Sequence, residues 1–374
     1  MEKPQGKVTV RENDFFPEIR RKVNDHFETK GISRRANGLF YLKGLIYFGA
    51  MIFGYTFLLR IGDRSLADLV TGYFIFMGAT GLLVVSVAHD ASHHAVSKYR
   101  AVNSLLAQTW NLIGMSRRIW EAKHHQSHHI HTNLPDHDVD INDNPLIRLS
   151  PQYPWHPWYQ YQHLYAPLLY FLFGPFQVFI KDFILFYDKK NRIRDRHLNE
   201  AGFAIKLILT KVFFLAFSLI VPLAVLTAPM LTIIGVYFAA VSITGFVIIL
   251  ILAVPHLNES GVWQGEVPKI GSQQDWALVQ VKTTMDSSPK SAVLAWITGG
   301  LHTHLAHHLF PHICHVHYRD ITPIIYSVLE KRGIAGRHAQ VWKLVLSHYR
   351  FLKVTGRRPE TIQHGVLRYN EIAA

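Results

Sequence analysis

The stretch LADLVTGYFIFMGATGLLVVSVAHDASHH, residues 66–94, joins an apolar run directly to a cluster of histidines. The apolar part, Leu66–Ala88, is long enough to cross a hydrocarbon core of roughly 30 Å as a helix. The cluster that follows, HDASHH (His89–His94), places imidazole nitrogens where this span ends. A span that ends in potential metal ligands predicts a membrane protein with a site at the bilayer surface.

Three other stretches are apolar over about twenty residues or more, which is enough to span a bilayer. They are Leu39–Leu59, Phe203–Thr227 and Leu231–Val254. Helices of soluble proteins rarely stay apolar on all sides over such a length. Because residues 60–64 and 228–230 are very short links, we predict an all-α integral membrane fold with four transmembrane helices in two hairpins. A helical cap would then hold a histidine-rich dimetal site.

The charge distribution sets the expected orientation of these hairpins. The formal net charge is +13, and nearly all Lys and Arg fall on one side of the predicted spans. The positive-inside rule makes that side, and therefore the cap, cytoplasmic. Basic charge beside spans is explained by orientation and anionic lipid, so we expect no nucleic-acid partner. The polar start shows no secretory signal, and the one cysteine, Cys314, allows no intramolecular disulfide.

A fifth apolar stretch, Tyr161–Tyr187, is interrupted by Gly174–Pro175. If it crossed the bilayer, the basic run Lys189–Arg196 would lie outside, against the charge rule. We therefore predict a re-entrant or interfacial helical hairpin. The predicted regions are a cytoplasmic N-terminal segment (1–38), a first transmembrane hairpin (39–88), histidine boxes one and two with the interfacial hairpin (89–202, with 161–187), a second transmembrane hairpin (203–254), and a cytoplasmic cap with box three and a basic tail (255–374).

The histidines fall into four groups at or near predicted membrane boundaries. They are HDASHH (His89–His94), HHQSHHIH (His124–His131), His256 after the last span, and HTHLAHH (His302–His308). On a helix, residues three or four apart share a face. His89 then points with His93, His124 with His128, and His304 with His307 and His308. His94 and His129 lie about 100° round from their neighbours, where they can reach a second ion.

Crowded imidazoles repel one another when protonated, and binding a metal in the neutral form removes this conflict. Imidazole suits iron, zinc, copper and nickel. Several groups with the same spacing therefore predict metal ligation, whereas a single pair would not.

These groups resemble the integral-membrane fatty-acid desaturases, and most closely their front-end, linoleoyl-CoA desaturase-like branch. The similar stretches are HDASHH, WEAKHHQSHHIHTN, DVDINDNPLIRLSP, AVPHLNES and GGLHTHLAHHLFPHICHVHY, within residues 17–333. The resemblance implies an oxygen-dependent desaturase with a non-haem diiron centre. Electrons and O2 serve to remove two hydrogens from neighbouring methylenes of an acyl chain. Side-chain acid–base chemistry cannot attack such C–H bonds, so a redox metal fits the reaction.

The resemblance also implies a set of ligands. These are His89, His93, with His94 as a further candidate, His124, His128, His129, His256, His304, His307 and His308. An alternative alignment of box two would use His125 instead of His124. Trp120, four residues before His124, favours His124. Front-end relatives usually have Gln where this chain has His304, which weakens any inference about the position of the new double bond.

Other polar residues near the boxes are candidates for holding the ligands rather than binding the metals. They are Asp90, His125, His131, Asp138, Asp140 and His302. Each of them can equally have a structural role that does not involve the metals. A carboxylate beside a ligand imidazole can orient it by a hydrogen bond. Trp276, Thr283 and Thr284 resemble a stretch that the family places near the acyl channel.

The expected partners are the lipid bilayer, a fatty-acyl substrate and an electron donor. The acyl group would be linked to CoA, a lipid or acyl carrier protein. No cytochrome b5 haem motif and no Gly-rich nicotinamide fingerprint occurs, so we expect a separate donor such as a ferredoxin or a free cytochrome b5. The basic, apolar stretch Trp342–Glu360 could lie on the membrane and help such a donor to dock.

Two other classes of function remain open from the sequence. A hydroxylase, ketolase or acetylenase uses the same diiron scaffold, and only the product separates it from a desaturase. A histidine-rich metal transporter should place ionisable ligands inside its spans. These spans hold almost none, so the sequence favours an enzyme.

Overall fold

The chain is mostly helical in the computed structural model, which describes residues 15–188, 202–263, 267 and 270–358. In chain order the helices are α1 (Phe15–Lys30), α2 (Gly38–Ile61), α3 (Leu66–Ser92), α4 (Arg100–Ala107, continued by Gln108–Ile113), α5 (Arg117–Lys123, continued by His124–His128 and His129–His131), α6 (Pro157–Phe171), α7 (Phe173–Phe186), α8 (Phe203–Val225), α9 (Met230–Ala253), α10 (Gln273–Thr283), α11 (Ala292–Ile297), α12 (His304–Leu309), α13 (Tyr318–Lys331) and α14 (Val341–Thr355). Two short strands, β1 (Asp286–Ser287) and β2 (His338–Ala339), pair in parallel.

Within the described residues, four helices are long and apolar enough to cross a membrane: α2, α3, α8 and α9. Their number agrees with the prediction, and each end lies within four residues of the predicted bound. Large apolar side chains on α2 face outward, with Leu42 55 %, Leu45 66 % and Phe53 57 % exposed. Such exposure suits contact with lipid rather than water.

Polar caps fix where the first two long helices begin. The Asn37 side chain accepts a hydrogen bond from the Phe40 backbone N at 3.2 Å, and Ser65 Oγ accepts one from the Asp68 backbone N at 3.1 Å. These bonds satisfy amide groups that have no partner inside the helix. The helices α2 and α3 then pack along one another, with Leu58, Tyr73 and Phe76 buried in their shared core.

The fifth apolar stretch forms α6 and α7, which meet at an angle of 65°. The break lies at Leu172, close to the predicted Gly174–Pro175 interruption. A bent pair of this kind is compatible with a broken span as well as with a re-entrant hairpin, so the predicted hairpin stays a prediction. Gly174 lies against Gly245 of α9, where an added Cβ on either glycine would collide with the backbone of the other. The basic run Lys189–Arg196 lies outside the described residues.

A second core lies beyond the ends of the long helices. Helix α1 buries Phe15, Ile19, Val23 and Phe27, which recur every four residues along one face. This face packs on α13, whose buried residues include Ile325. The same cluster includes apolar side chains of α12, the helix that carries the last histidine box. This second core thus fixes the position of the helix that carries the third box.

Candidate metal centre

The first histidine box continues helix α3 beyond a π-helical turn at Val84–Ala88. In that turn the His89 backbone N bonds to the Val84 carbonyl, five residues earlier, instead of four. Such turns insert one residue into a helix and are frequent at functional sites. His89 is buried, with 1 % of its surface exposed, and its two ring nitrogens have no hydrogen-bond partner in the described part of the chain.

The second box is itself a π-helical turn, His124–His128. A π-turn bonds residue i to residue i+5 and therefore brings positions five apart to the same side. His129 Nε2 accordingly lies 3.0 Å from His124 Nε2. In a regular α-helix these two rings would point apart, which is the arrangement that their spacing in the sequence predicts.

The third box contributes helix α12, in which His304, His307 and His308 are buried. His307 Nε2 lies 3.0 Å from His129 Nε2, and His308 Nε2 lies 3.1 Å from His256 Nε2. His256 follows the end of α9 and lies 3.2 Å from His128 Nε2. Segments that are distant in sequence thus direct their ring nitrogens into one space.

The nitrogens fall into three overlapping groups, within each of which all ligand atoms lie within 4.8 Å of one another. The groups are His89, His93, His124 and His307; His128, His256 and His308; and His129, His307 and His308. His304 adjoins them, since its ring centroid lies 4.6 Å from that of His256. This spacing suits two ions that share neighbouring ligands.

The rings of one part of the cluster, which we call the anchored half (His128, His256, His304 and His308), are held through Nδ1. Their partners are the Asp138 carboxylate at 2.9 Å, the Thr283 carbonyl at 3.1 Å, the Leu301 carbonyl at 2.9 Å and Gln280 Oε1 at 2.8 Å, respectively. A partner at Nδ1 fixes the ring and leaves Nε2 free to bind a metal. In the part that we call the open half (His89, His93 and His124), His89 and His93 have buried ring nitrogens without a hydrogen-bond partner among the described residues.

Burial keeps most of these rings neutral. Together with the neighbouring imidazoles it holds the pKa values of His93, His124, His129, His256, His307 and His308 well below the ordinary value. Burial also lowers the pKa of His304 to about 3. For His128, burial is outweighed by the charge and hydrogen bond of Asp138, which raise its pKa. Neutral imidazoles with unpartnered nitrogens are the donors that a divalent transition metal requires, so the residues present fit a metal site.

The predicted carboxylates take different positions. Asp138 accepts from the His128 ring and from the backbone N of Asn133, both at 2.9 Å, so it fixes the orientation of that imidazole. Asp140 pairs with Lys123 at 2.8 Å. Asp90 does not hydrogen-bond a predicted ligand, since its Oδ1 lies 3.9 Å from His89 Nδ1. Its other oxygen instead accepts from the backbone N and the ring of His315, at 2.9 and 2.8 Å.

Some predicted histidines lie outside the three groups. His94 is exposed because α3 ends at Ser92 and the backbone of His94 turns into the left-handed region, with φ at 57°. His125 is half-buried beside the His93 ring, at 4.4 Å between centroids, so His124 rather than His125 joins the cluster. His131 lies beside His137, and His302 is buried near the cluster without joining it.

The residues compared with an acyl channel all lie close to the boxes. Trp276 Nε1 donates to the His129 carbonyl at 2.7 Å, the Thr283 carbonyl contacts His256, and Thr284 is buried. Sequence reasoning missed Gln280 and Tyr318, whose hydroxyl lies 3.3 Å from His307 Nδ1. The sequence offered one signal, because Gln280 is a polar residue between Val279 and Val281. In the structure this glutamine is fully buried.

Comparisons with known proteins agree with this geometry. The model of the fatty acid desaturase family matches residues 66–339. The sn-1 linoleoyl-lipid 6-desaturase of Arthrospira platensis is 32 % identical over 93 % of this chain and 94 % of its own length. The enzyme of the same name from Synechocystis is 29 % identical over 91 % of this chain and 94 % of its own. The acyl-lipid (8-3)-desaturase of Physcomitrium patens is 26 % identical over 92 % of this chain and 72 % of its own.

Proposed function

Because the chain belongs to the fatty acid desaturase family, with front-end desaturases among its relatives, we propose that its histidine cluster holds two iron ions. The protein is a membrane-bound oxidoreductase that desaturates acyl chains. The proposed ligands of one ion are His89, His93, His124 and His307, and those of the other are His128, His256, His304 and His308, with His129 between them. The exposed His94 has no place in this set.

A diiron pair supplies the oxidising power that side chains lack. The overall reaction consumes O2, two electrons and two protons, and it removes two hydrogens to form a double bond and two molecules of water. The chain's own part is to hold the ligands, to keep water out and to present one pair of methylenes. The buried apolar residues Trp110 and Trp120, which stack at 4.0 Å beside the His124 ring, support the exclusion of water.

One observation carries this proposal: ring nitrogens from four distant segments converge in a buried space, and the four rings of the anchored half are fixed by hydrogen bonds at Nδ1. The test is expression of the chain with an electron donor in a host that has simple lipids. Mass spectrometry of the fatty acids should find the loss of two hydrogens, and metal analysis should find two irons per chain. Gain of oxygen, or a chain loaded with iron and donor that forms no product, would contradict the proposal.

We infer further that the acyl chain is carried by a membrane lipid and that the new double bond lies near the carboxyl end. The relatives named linoleoyl-lipid 6-desaturase and acyl-lipid (8-3)-desaturase support both points. His304 stands where front-end relatives usually have Gln. This difference bears on the position of the double bond and not on the carrier of the acyl chain. Locating the bond in lipid-linked and CoA-linked products tests both inferences.

The remaining proposals concern orientation and electron supply. The four spans form two hairpins, residues 39–88 and 203–254, and the segments 1–38, 89–202 and 255–374 lie on the cytoplasmic side. Electrons come from a separate ferredoxin or cytochrome b5, and the basic helix α14, with Trp342 61 % exposed, offers it a docking surface. Labelling of cysteines introduced at exposed positions in intact and opened cells tests the orientation, because the native Cys314 is buried. The salt dependence of electron transfer tests the docking.

A further inference from the structure

A cavity of about 1270 Å³ lies beside the metal centre, between the start of α2 and the cap helices α11 and α13. Its apolar wall includes Leu39, Ala292 and Trp296, and its polar wall includes Lys43, Lys290 and Arg319. This volume exceeds the roughly 300–1,000 Å³ of typical small-molecule sites, so the cavity has room for a large ligand. None of these residues belongs to the metal centre described above.

The cavity lies beside the first turns of the candidate span α2. Helix α11 packs beside the first turns of the span α2, since Tyr47 Oη donates to the Trp296 carbonyl at 2.9 Å. Apolar side chains of α11 remain exposed, with Val293 68 % and Ile297 40 % exposed. The cavity therefore adjoins exposed apolar surface next to a candidate span, which suits contact with a lipid.

The polar wall offers positive charges that form no direct ion pair with a described carboxylate. Lys43 is buried, with 2 % of its surface exposed, and its Nζ lies 3.1 Å from His315 Nε2 and 3.4 Å from the Ala295 carbonyl. In the described part of the chain no carboxylate lies within ion-pair distance of Lys43, Lys290 or Arg319. Among the described residues, Arg319 donates to the Lys290 carbonyl, at 3.2 Å. Clustered cations that are not held in direct ion pairs favour an anionic ligand.

Two carboxylates also line the cavity, and both belong to α13. Asp320 is turned toward Lys30, at 3.9 Å, and Glu330 is exposed at the far end of the same helix. Both lie away from the inner wall, where the His315 ring separates Lys43 from the Asp90 carboxylate.

The inner wall is connected to the metal centre through the protein. His315 lines the cavity and donates to Asp90, at 2.8 Å from its Nδ1. Asp90 directly precedes Ala91 on α3 and follows the proposed ligand His89. Two side chains, those of His315 and Asp90, therefore lie between the cavity and the segment that carries the proposed ligand His89.

We propose that this cavity binds the phosphate-bearing head group of an acyl glycerolipid substrate, with the lipid's apolar part against Leu39, Ala292 and Trp296. This inference rests on the proposed function, because it names the substrate class of the same enzyme. Lys290 and Arg319 contact the phosphate at the mouth, and Lys43 supplies positive charge at the inner end. A lipid with an uncharged sugar head group lacks the group that these cations recognise.

The test is equilibrium binding to the purified full-length, metal-loaded protein in neutral detergent. The probes are saturated phosphatidylglycerol, a neutral galactosyl diacylglycerol, a saturated acyl-CoA and inorganic phosphate. We expect phosphatidylglycerol to bind most tightly. The double variant Lys290→Ala/Arg319→Ala should weaken that binding roughly tenfold to thirtyfold, because each substitution removes one favourable contact between a cation and the phosphate.

The matched control is Arg21→Ala/Lys331→Ala, which removes the same charge from exposed positions of α1 and α13 outside the cavity. It should change binding less than twofold. Ala292→Trp, which fills the apolar wall without changing charge, should also weaken binding. Unchanged metal content in each variant shows that the fold is intact.

Several results would overturn the proposal. Equal affinity for the neutral galactolipid would remove the role of charge, and equal loss in the control would reduce the effect to general electrostatics. Tighter binding of acyl-CoA, or of free phosphate alone, would remove the lipid as the source of the phosphate.

Activity is measured separately, so that the two proposals can fail independently. The cavity variants should raise the KM for the anionic lipid, as loss of substrate binding does. Unchanged KM despite weakened binding would show that the cavity is not a substrate site. Normal lipid binding by a chain that forms no double bond would instead contradict the proposed function and leave the head-group site standing.

Discussion

The anchored half and the open half of the histidine cluster differ in what holds their rings. Each ring of the anchored half has an oxygen partner at Nδ1, such as Gln280 for His308. In the open half, the buried ring nitrogens of His89 have no partner among the described residues. The protein therefore fixes one half before a metal arrives, whereas a metal must organise the other. We expect the ion of the anchored half to bind more tightly, since partners of this kind raise metal affinity.

The largest effect should come from a residue that links neighbouring ligand groups. His307, like His308, belongs to two of the three groups: it is a proposed ligand of one ion and lies 3.0 Å from His129, which lies between the two ions. His307→Ala should therefore reduce iron from two ions per chain to fewer than one and bring desaturation below detection. His89→Ala should lose mainly the ion of the open half and keep about one. Metal analysis of the purified variants, with lipid analysis of the expressing cells, checks both results.

His94→Ala is the matched control, because His94 belongs to the same box as His89 but is exposed and lies outside the three ligand groups. It should retain both ions and its activity. Loss of iron in this variant would show that the first box binds metal differently from the arrangement described here.

The next effect tests whether hydrogen bonds at Nδ1 make the anchored half tight. Asp138→Asn removes the carboxylate that holds His128 at 2.9 Å while nearly keeping its shape. Metal affinity of the anchored half should fall about 10- to 100-fold. Competition with a chelator measures this, and Asp143→Asn, at an exposed position, is the control. Equal affinity in both variants would remove the proposed difference between the halves.

A pH series on the metal-free protein sharpens the comparison within the anchored half. The pKa of His304 is lowered to about 3, below the ordinary value near 6.5, so its contribution to stability is present above pH 6.5 and lost as the pH falls. At pH 5 the loss from this residue is about 2 kcal/mol. His128 has a raised pKa, so its contribution has the opposite sign: it is present below 6.5 and lost as the pH rises through the folded value.

Thermal unfolding between pH 7.5 and pH 5 checks these signs. His304→Gln should make the loss of stability on acidification shallower, and His128→Gln should make it steeper. The same slope in both variants would contradict the assignment of opposite shifts.

The smallest effect is expected at His307, whose partner at Nδ1 is the weakest. The Tyr318 hydroxyl lies 3.3 Å away, which is long for a hydrogen bond. Tyr318→Phe should lower metal affinity only a few-fold, less than Asp138→Asn. Tyr349→Phe, on a partly exposed residue of α14, serves as the control in the same chelator titration.

The spans and the box histidines were predictable because their signals are local. Uninterrupted apolar length predicts a membrane helix, and the spacing of His89 and His93 or of His304 and His308 predicts a shared face. The structure has four helices that are long and apolar enough to cross a membrane, and their ends lie within four residues of the predicted bounds. The placement of His124 in the cluster also agrees with the argument from Trp120.

What the sequence did not reveal depends on departures from regular helix geometry or on distant contacts. Spacing in an ideal helix separates His124 from His129, but the π-turn brings them to 3.0 Å. The same kind of reasoning kept His94 as a candidate, although the helix ends before it. Asp90 was assigned by its proximity in sequence to His89, whereas its partner, His315, lies 225 residues further along the chain. Such pairings follow from how the cap packs on the spans.

The separation of the boxes along the chain has a consequence for biosynthesis. His89 leaves the ribosome more than two hundred residues before His307, with which it shares a group. At about 5–20 residues per second, this gap lasts roughly 10 to 40 s. During that time the early imidazoles have no finished site in which to retain iron. Metal loading must therefore be a late event, after translation has delivered the last box and the cap has closed over the inserted helices.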